Sequence, residues 1–112
     1  MNKFLQKPQA TKQYFEVKSK LGIRISTTLN YWNIIISIKH PTIKGMETEV
    51  KQVLCEPDEI RVSKKDTAVL LFYKMFDNRY LCVVVRFFKK KGFIVTVYWT
   101  KKIKEGQLRW KK

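Results

Sequence analysis

One histidine, two hydroxyl-bearing residues two positions apart and a few isolated cations are the groups in this 112-residue chain that could do chemistry. His40 is of the side-chain type that exchanges protons near neutrality, and it stands between Lys39 and Pro41. Within the strand-like run Phe93–Trp99, period two separates Phe93, Val95, Val97 and Trp99, the expected core face, from Ile94, Thr96, Tyr98 and Thr100. Thr96 and Tyr98 then point the same way, roughly 7 Å apart along the strand. Arg86 is the lone charge in the apolar run Leu81–Phe88, where it shares a face with Cys82, Val84 and Phe88. Lys74 is similarly isolated between Tyr73 and Met75. A strand charge facing inward needs a carboxylate or a ligand, whereas one facing outward protects a sheet edge.

These groups suit the cleavage of RNA by its own 2′-hydroxyl. That reaction needs a proton acceptor, a proton donor and cations against the charge that grows on the phosphorane. His40 could take one proton role. Arg86 or Lys74 could hold the non-bridging oxygens, a bidentate Arg most strongly. Thr96 could hydrogen-bond the phosphate, and Tyr98 could stack a base or donate its hydroxyl. Metal and cofactor are both expected to be absent: the nine acidic residues form no cluster of the kind a two-metal nuclease uses. Neither a Walker loop nor a GxGxxG sequence occurs. Ser19, Ser26, Ser37 and Ser63 all lack the context of a nucleophile elbow.

The charge of the chain agrees with a polyanionic partner. Lys and Arg number 24 against nine Asp and Glu, a net charge of +15, and the sequence pI is about 10.0. The cations interleave with aromatics, as in Tyr73-Lys74, Arg86-Phe87-Phe88 and Arg109-Trp110. Lys39, Lys44, Tyr73, Lys101, Lys102, Lys104 and Arg109 are the candidate RNA contacts. A solvated, Lys-rich surface is the plain alternative.

The elements that must position these groups form one domain over 13–112, preceded by a loose basic arm over 1–12. Tyr14–Lys18 and Ile23–Ser26 read as a hairpin about Leu21-Gly22. Thr27-Thr28 can cap a helix with apolar Leu29, Trp32 and Ile36, although the β-branched run Ile34-Ile35-Ile36 also suits a strand. Pro41 ends that element either way. Residues 44–55 place Met46, Val50, Val53 and Leu54 on one helical face. Glu59–Ser63, Ala68–Phe76, Leu81–Phe88 and Phe93–Trp99 then read as an antiparallel meander, followed by a basic tail, Lys101–Lys112. The expected fold class is α+β: an N-terminal hairpin and two helices packed on a four-stranded antiparallel sheet. Cys55 and Cys82 are expected to be buried thiols in a reducing, cytoplasmic setting. Neither a signal peptide nor a membrane span is expected.

Phe15-Glu16-Val17-Lys18, Tyr31-Trp32 and Ile38-Lys39-His40-Pro41 open a pattern that continues through Pro57–Ser63 and Leu71-Phe72-Tyr73-Lys74. Tyr80–Arg86, Phe93–Tyr98, Ile103–Gly106 and Trp110 complete it. The pattern resembles the phage-type barnase–EndoU–colicin–RelE-like (BECR fold) nucleases, over about residues 14 to 110. The resemblance implies a metal-independent, toxin-like RNase with helices followed by a four-stranded sheet, acting on RNA such as tRNA or mRNA. Lys39-His40 resembles that family's helix His beside Lys, and Thr96-x-Tyr98 its hydroxyl and aromatic pair on a late strand, with Thr for Ser and Tyr for Trp. Arg86 matches the basic strand position by type alone. Pairing with an acidic antitoxin is also implied by the resemblance. A nucleic-acid-binding module without catalysis, or a protein that binds an acidic partner, would use the same basic and aromatic surface.

Overall fold

The computed structural model describes residues 12–103 and 106–112. The expected arm over 1–12 lies outside them except for Lys12. β1 (Gln13–Lys18) and β2 (Arg24–Thr28) form the antiparallel hairpin expected from the alternation on either side of Gly22. Gly22 has φ 82°, a backbone region that favours glycine. Thr28 caps α1 (Leu29–Ile34): its Oγ1 accepts the Tyr31 N–H at 3.0 Å. The helix then widens into a π-helical turn over Ile35–Lys39 and passes through His40 into a 3-10 turn, Pro41–Ile43. α2 (Glu47–Cys55) buries Val50, Val53 and Leu54, which are spaced to share one helical face. β3 (Glu59–Val62), β4 (Val69–Phe76), β5 (Arg79–Phe88) and β6 (Lys91–Thr100) are the antiparallel meander, and β7 (Gln107–Lys111) follows.

The architecture corrects the four-stranded expectation. The described residues form one seven-stranded mixed sheet in the order β1-β2-β6-β5-β4-β3-β7, with only two short helices and nearly half of the residues in strands. The hairpin does not pack on the meander. It extends it, because β2 pairs parallel with β6 through Arg24–Ser26 and Lys91–Phe93. Gly92 permits that junction: a Cβ there would lie 2.8 Å from Val85 Cγ1 and 3.2 Å from Ile25 Cγ1. The stretch expected to be a basic tail instead supplies β7, antiparallel to β3. The register skips Arg109, so Trp110 reaches the core side while Leu108 stays exposed. Lys and Arg on an edge strand are ordinary protection against further pairing, which is why the segment reads as a tail in sequence.

Both helices cover one face of the sheet. Trp32, Ile35, Ile43, Val50, Val53 and Leu54 pack against Ile25, Ile60, Leu70, Phe72, Leu81, Val83, Val85, Ile94 and Val97. Each such side chain contributes about 1.5–3 kcal/mol on burial. The opposite face carries a smaller cluster, Leu71, Tyr73 and Cys82, with Tyr80, Val84, Tyr98 and Ile103 beside it. Cys55 is exposed, contrary to expectation, because it lies off the α2 face that carries Val50, Val53 and Leu54; Cys82 is buried. No helix among the described residues is long and apolar enough to cross a membrane.

Candidate active site

A bulge in β6 creates the geometry around His40. Val84 pairs with Thr96 and Val85 with Ile94, so Val95 is the extra residue on β6. The bulge reverses the alternation upstream of it: Ile94 is buried and Phe93 is 54% exposed, the opposite of the core face expected from period two. It also turns the Val95 carbonyl toward the helical segment. Tyr31 donates its hydroxyl to that oxygen at 2.9 Å, and Lys39 Nζ donates to it at 3.1 Å. Lys39 Nζ also donates to the Tyr31 hydroxyl oxygen at 2.7 Å and sits 5.0 Å from the Tyr31 ring centroid. The π turn is thereby tied to the part of β6 that lies beyond its pairing with β2.

His40 leaves that turn with its backbone held on both sides. Its N–H donates to Ile35 O at 2.7 Å, and its carbonyl accepts the Ile43 N–H at 3.0 Å. Pro41 begins the next turn, where its fixed φ suits a helix start. The His40 ring then meets the Tyr98 ring, centroids 5.9 Å apart and tilted by 39°. Both residues are half-buried. Thr96, two residues before Tyr98 on the same face, has a buried hydroxyl that makes no hydrogen bond with the described residues. Leaving such a group unsatisfied costs about 1–3 kcal/mol.

Arg86 lies further along this face. It stands four positions along β5 from Cys82, the partner of Tyr98, a distance of about 13 Å along the strand. Its guanidinium is bound to the Asp66 carboxylate, which also accepts the Ala68 N–H at 2.9 Å. The Ala68 N–H, and after it the Arg86 guanidinium, hold the Asp66 carboxyl below the usual carboxylate range.

The other expected site residues are dispersed. Lys74 belongs to the helix-covered side: its Nζ donates to Glu56 O, at the C-terminal cap of α2, at 2.9 Å and lies 4.0 Å from Asp58 Oδ1. The cation complements the helix terminus and does not face His40. Tyr73 is buried in the small cluster, at 1% exposure, and cannot serve as an open stacking platform. Arg109 lies on β7, at the edge of the sheet furthest from β1 and four strands from β6. Lys44 is exposed in the turn before α2, Lys101 and Lys102 are exposed just beyond β6, and Lys104 lies outside the described residues. Of the expected residues, His40 meets Tyr98 of β6, Thr96 lies two residues before Tyr98 on the same face, and Lys39 binds the Val95 carbonyl next to Thr96.

Tyr31, Asp66 and the Val95 carbonyl are parts of this arrangement that the sequence reading did not select. A bulge has no signature in a run as uniformly β-prone as Phe93–Trp99, and Asp66 is separated from Arg86 by 20 residues. Among the described residues no three His, Cys, Asp or Glu side chains gather as a metal site would require. Comparison with protein-family models, curated proteins and solved structures finds no match to this chain.

Proposed function

We propose that this protein is an endoribonuclease in which His40, Thr96 and Tyr98 act on the phosphodiester, the 2′-hydroxyl of the RNA being the nucleophile. The observation that carries the reading is the meeting of the His40 and Tyr98 rings on the face where Thr96 keeps a buried hydroxyl with no hydrogen-bond partner among the described residues. The imidazole can exchange a proton with the attacking or leaving oxygen. The Thr96 hydroxyl can donate to a phosphate oxygen, and the Tyr98 ring can support a base. The resemblance of Lys39-His40 and Thr96-x-Tyr98 to BECR-type nucleases supports the same assignment, and it extends to an acidic protein that would neutralise the enzyme.

The test is incubation with bulk tRNA and total RNA in the presence of EDTA, followed by mapping of new 5′ ends. Cleavage that leaves 5′-hydroxyl and 2′,3′-cyclic phosphate ends is the expected result. His40→Ala should reduce it by about 10²- to 10⁴-fold, the range for a lost proton-transfer group, while RNA binding persists. The reading fails if the wild type leaves every RNA intact. A second reading, an RNA-binding module without catalysis, draws support from the cations: Lys39 is engaged by the Val95 carbonyl and Arg86 by Asp66. It predicts binding by wild type and His40→Ala alike, with no new ends.

A further inference from the structure

The β5–β6 hairpin carries a second feature on the same face of the sheet. Phe88 is 70% exposed and Phe93 is 54% exposed, high values for phenylalanine in a folded domain. Phe93 pairs directly with Arg86, and Phe88 stands two residues beyond Arg86, so aromatic, guanidinium and aromatic adjoin on one surface. The strands are joined by a two-residue turn, Lys89-Lys90, with Lys91 opening β6. All three lysines are exposed. Lys89 has φ 60°, a region that a lysine occupies at a cost of roughly 1–2 kcal/mol and a glycine or asparagine more easily. Two concavities adjoin at Phe93. One of about 440 Å³ is lined by Phe88, Phe93 and the three lysines. The other, about 310 Å³, opens where β2 parts from β6, between Thr27, Tyr31, Arg86, Phe93 and Val95. Phe93 is a wall of both.

We propose that this hairpin is the entry track for unpaired RNA, with bases stacked on Phe88 and Phe93 and phosphates held by Lys89, Lys90 and Lys91, beside Arg86, whose guanidinium is shared with Asp66. The inference rests on the ribonuclease reading for what happens next and deepens it by naming single-stranded RNA as the substrate class. The chemistry favours that ligand. Exposed rings offer a base the stacking contact that a paired duplex cannot supply without opening, and flanking ammonium groups track a backbone. The charge of +15 matches a polyanion. The track runs along β5 and β6 toward Thr96 and Tyr98 on the same face, so a strand seated on it leads into the His40 site.

The test measures binding of the full chain to a labelled mixed-sequence RNA strand, the same sequence as a duplex, and vesicles containing anionic lipid. The wild type should prefer the single strand to the duplex. Phe88→Ala and Phe93→Ala should each weaken single-strand binding about tenfold and leave duplex binding little changed. Replacing Lys89, Lys90 and Lys91 together by Gln should lower the salt dependence of log K by about 2, three phosphates at roughly 0.7 each. Circular dichroism of each variant reports whether the sheet is intact, and Phe93→Tyr, which keeps a stacking ring, should restore binding. Equal affinity for strand and duplex, or unaltered strand binding in both Ala variants, overturns the proposal. So does a loss confined to vesicles, which would make the hairpin a membrane contact. If wild type cleaves RNA and the Phe variants bind the single strand normally, the track fails and the nuclease reading stands. If those variants lose binding and wild type never cleaves, the track stands and the nuclease reading fails.

Discussion

Thr96 keeps a hydroxyl out of water with no hydrogen-bond partner among the described residues, an arrangement that costs stability and that folding alone does not require. Thr96→Val removes the hydroxyl and nearly preserves the shape. It is expected to raise stability by about 1 kcal/mol in denaturant unfolding while RNA cleavage falls at least tenfold; a variant that is no more stable and cleaves normally would deny the hydroxyl a role. Arg86 is held by Asp66, whose carboxyl is depressed by the Ala68 N–H and then by Arg86 itself. A carboxyl depressed in the folded state contributes its stability fully above the ordinary carboxylate range. That contribution is lost as pH falls through the depressed value, so the tether opens in acid and not near neutrality. Asp66→Asn should abolish this acid-dependent change in the Arg86 side-chain NMR signal. At neutral pH the same variant should bind RNA several-fold more tightly, because it frees a guanidinium and removes a negative charge.

At the scale of elements, the bulge at Val95 and the π turn over Ile35–Lys39 form one device. The bulged carbonyl draws in Tyr31 and Lys39 together, and the turn that ends in Lys39 delivers His40 to Tyr98. Tyr31→Phe deletes one hydrogen bond to that carbonyl and one acceptor for Lys39. It should cost about 1 kcal/mol of stability and shift the His40 and Tyr98 ring resonances, while the meander remains intact. If those resonances keep their positions, the Tyr31 hydroxyl does not hold the turn, and Lys39 and packing suffice. The sequence was legible here in part. The N-terminal hairpin, the Thr28 cap, the Val50-Val53-Leu54 face and the four strands of the meander all follow from periodicity and turn residues. Lys74 did not: an isolated strand cation looks the same whether it meets a phosphate or, as in this fold, the Glu56 carbonyl at the C-terminal cap of α2.

Over the whole molecule the net charge is +15, and the cations of the described residues are spread across strands and turns rather than gathered in one tail. Such a field raises the association rate with any polyanion and says nothing of sequence preference. RNA affinity should fall steeply with salt, with a slope of log K against log salt of about −3 for roughly four contacted phosphates on a single strand. A slope near zero in a binding titration from low to high salt would remove RNA as the partner and favour an apolar or specific protein interface. The sheet gives this field its geometry. The helices occupy one face, so Thr96, Tyr98, Arg86, Phe93 and Phe88 share the other, and β7 carries Arg109 to the remote edge.

The sequence by itself determined the N-terminal hairpin, the α2 segment and the four strands of the meander, the basic character of the chain, and the closeness along the chain of Lys39 to His40 and of Thr96 to Tyr98. Those properties come from local periodicity, turn chemistry and composition, which act over a few residues. Only the tertiary structure decided that the hairpin joins the meander through β2 and β6, that the supposed tail is a strand, and that the bulge at Val95 exposes Phe93 and buries Ile94. Pairing between distant strands depends on which edges remain open and how closely two backbones can approach, as at Gly92, and no short window of sequence contains that information. The encounter of His40 with Tyr98 is of the same kind: both residues are visible in the sequence, and their meeting is a property of the fold.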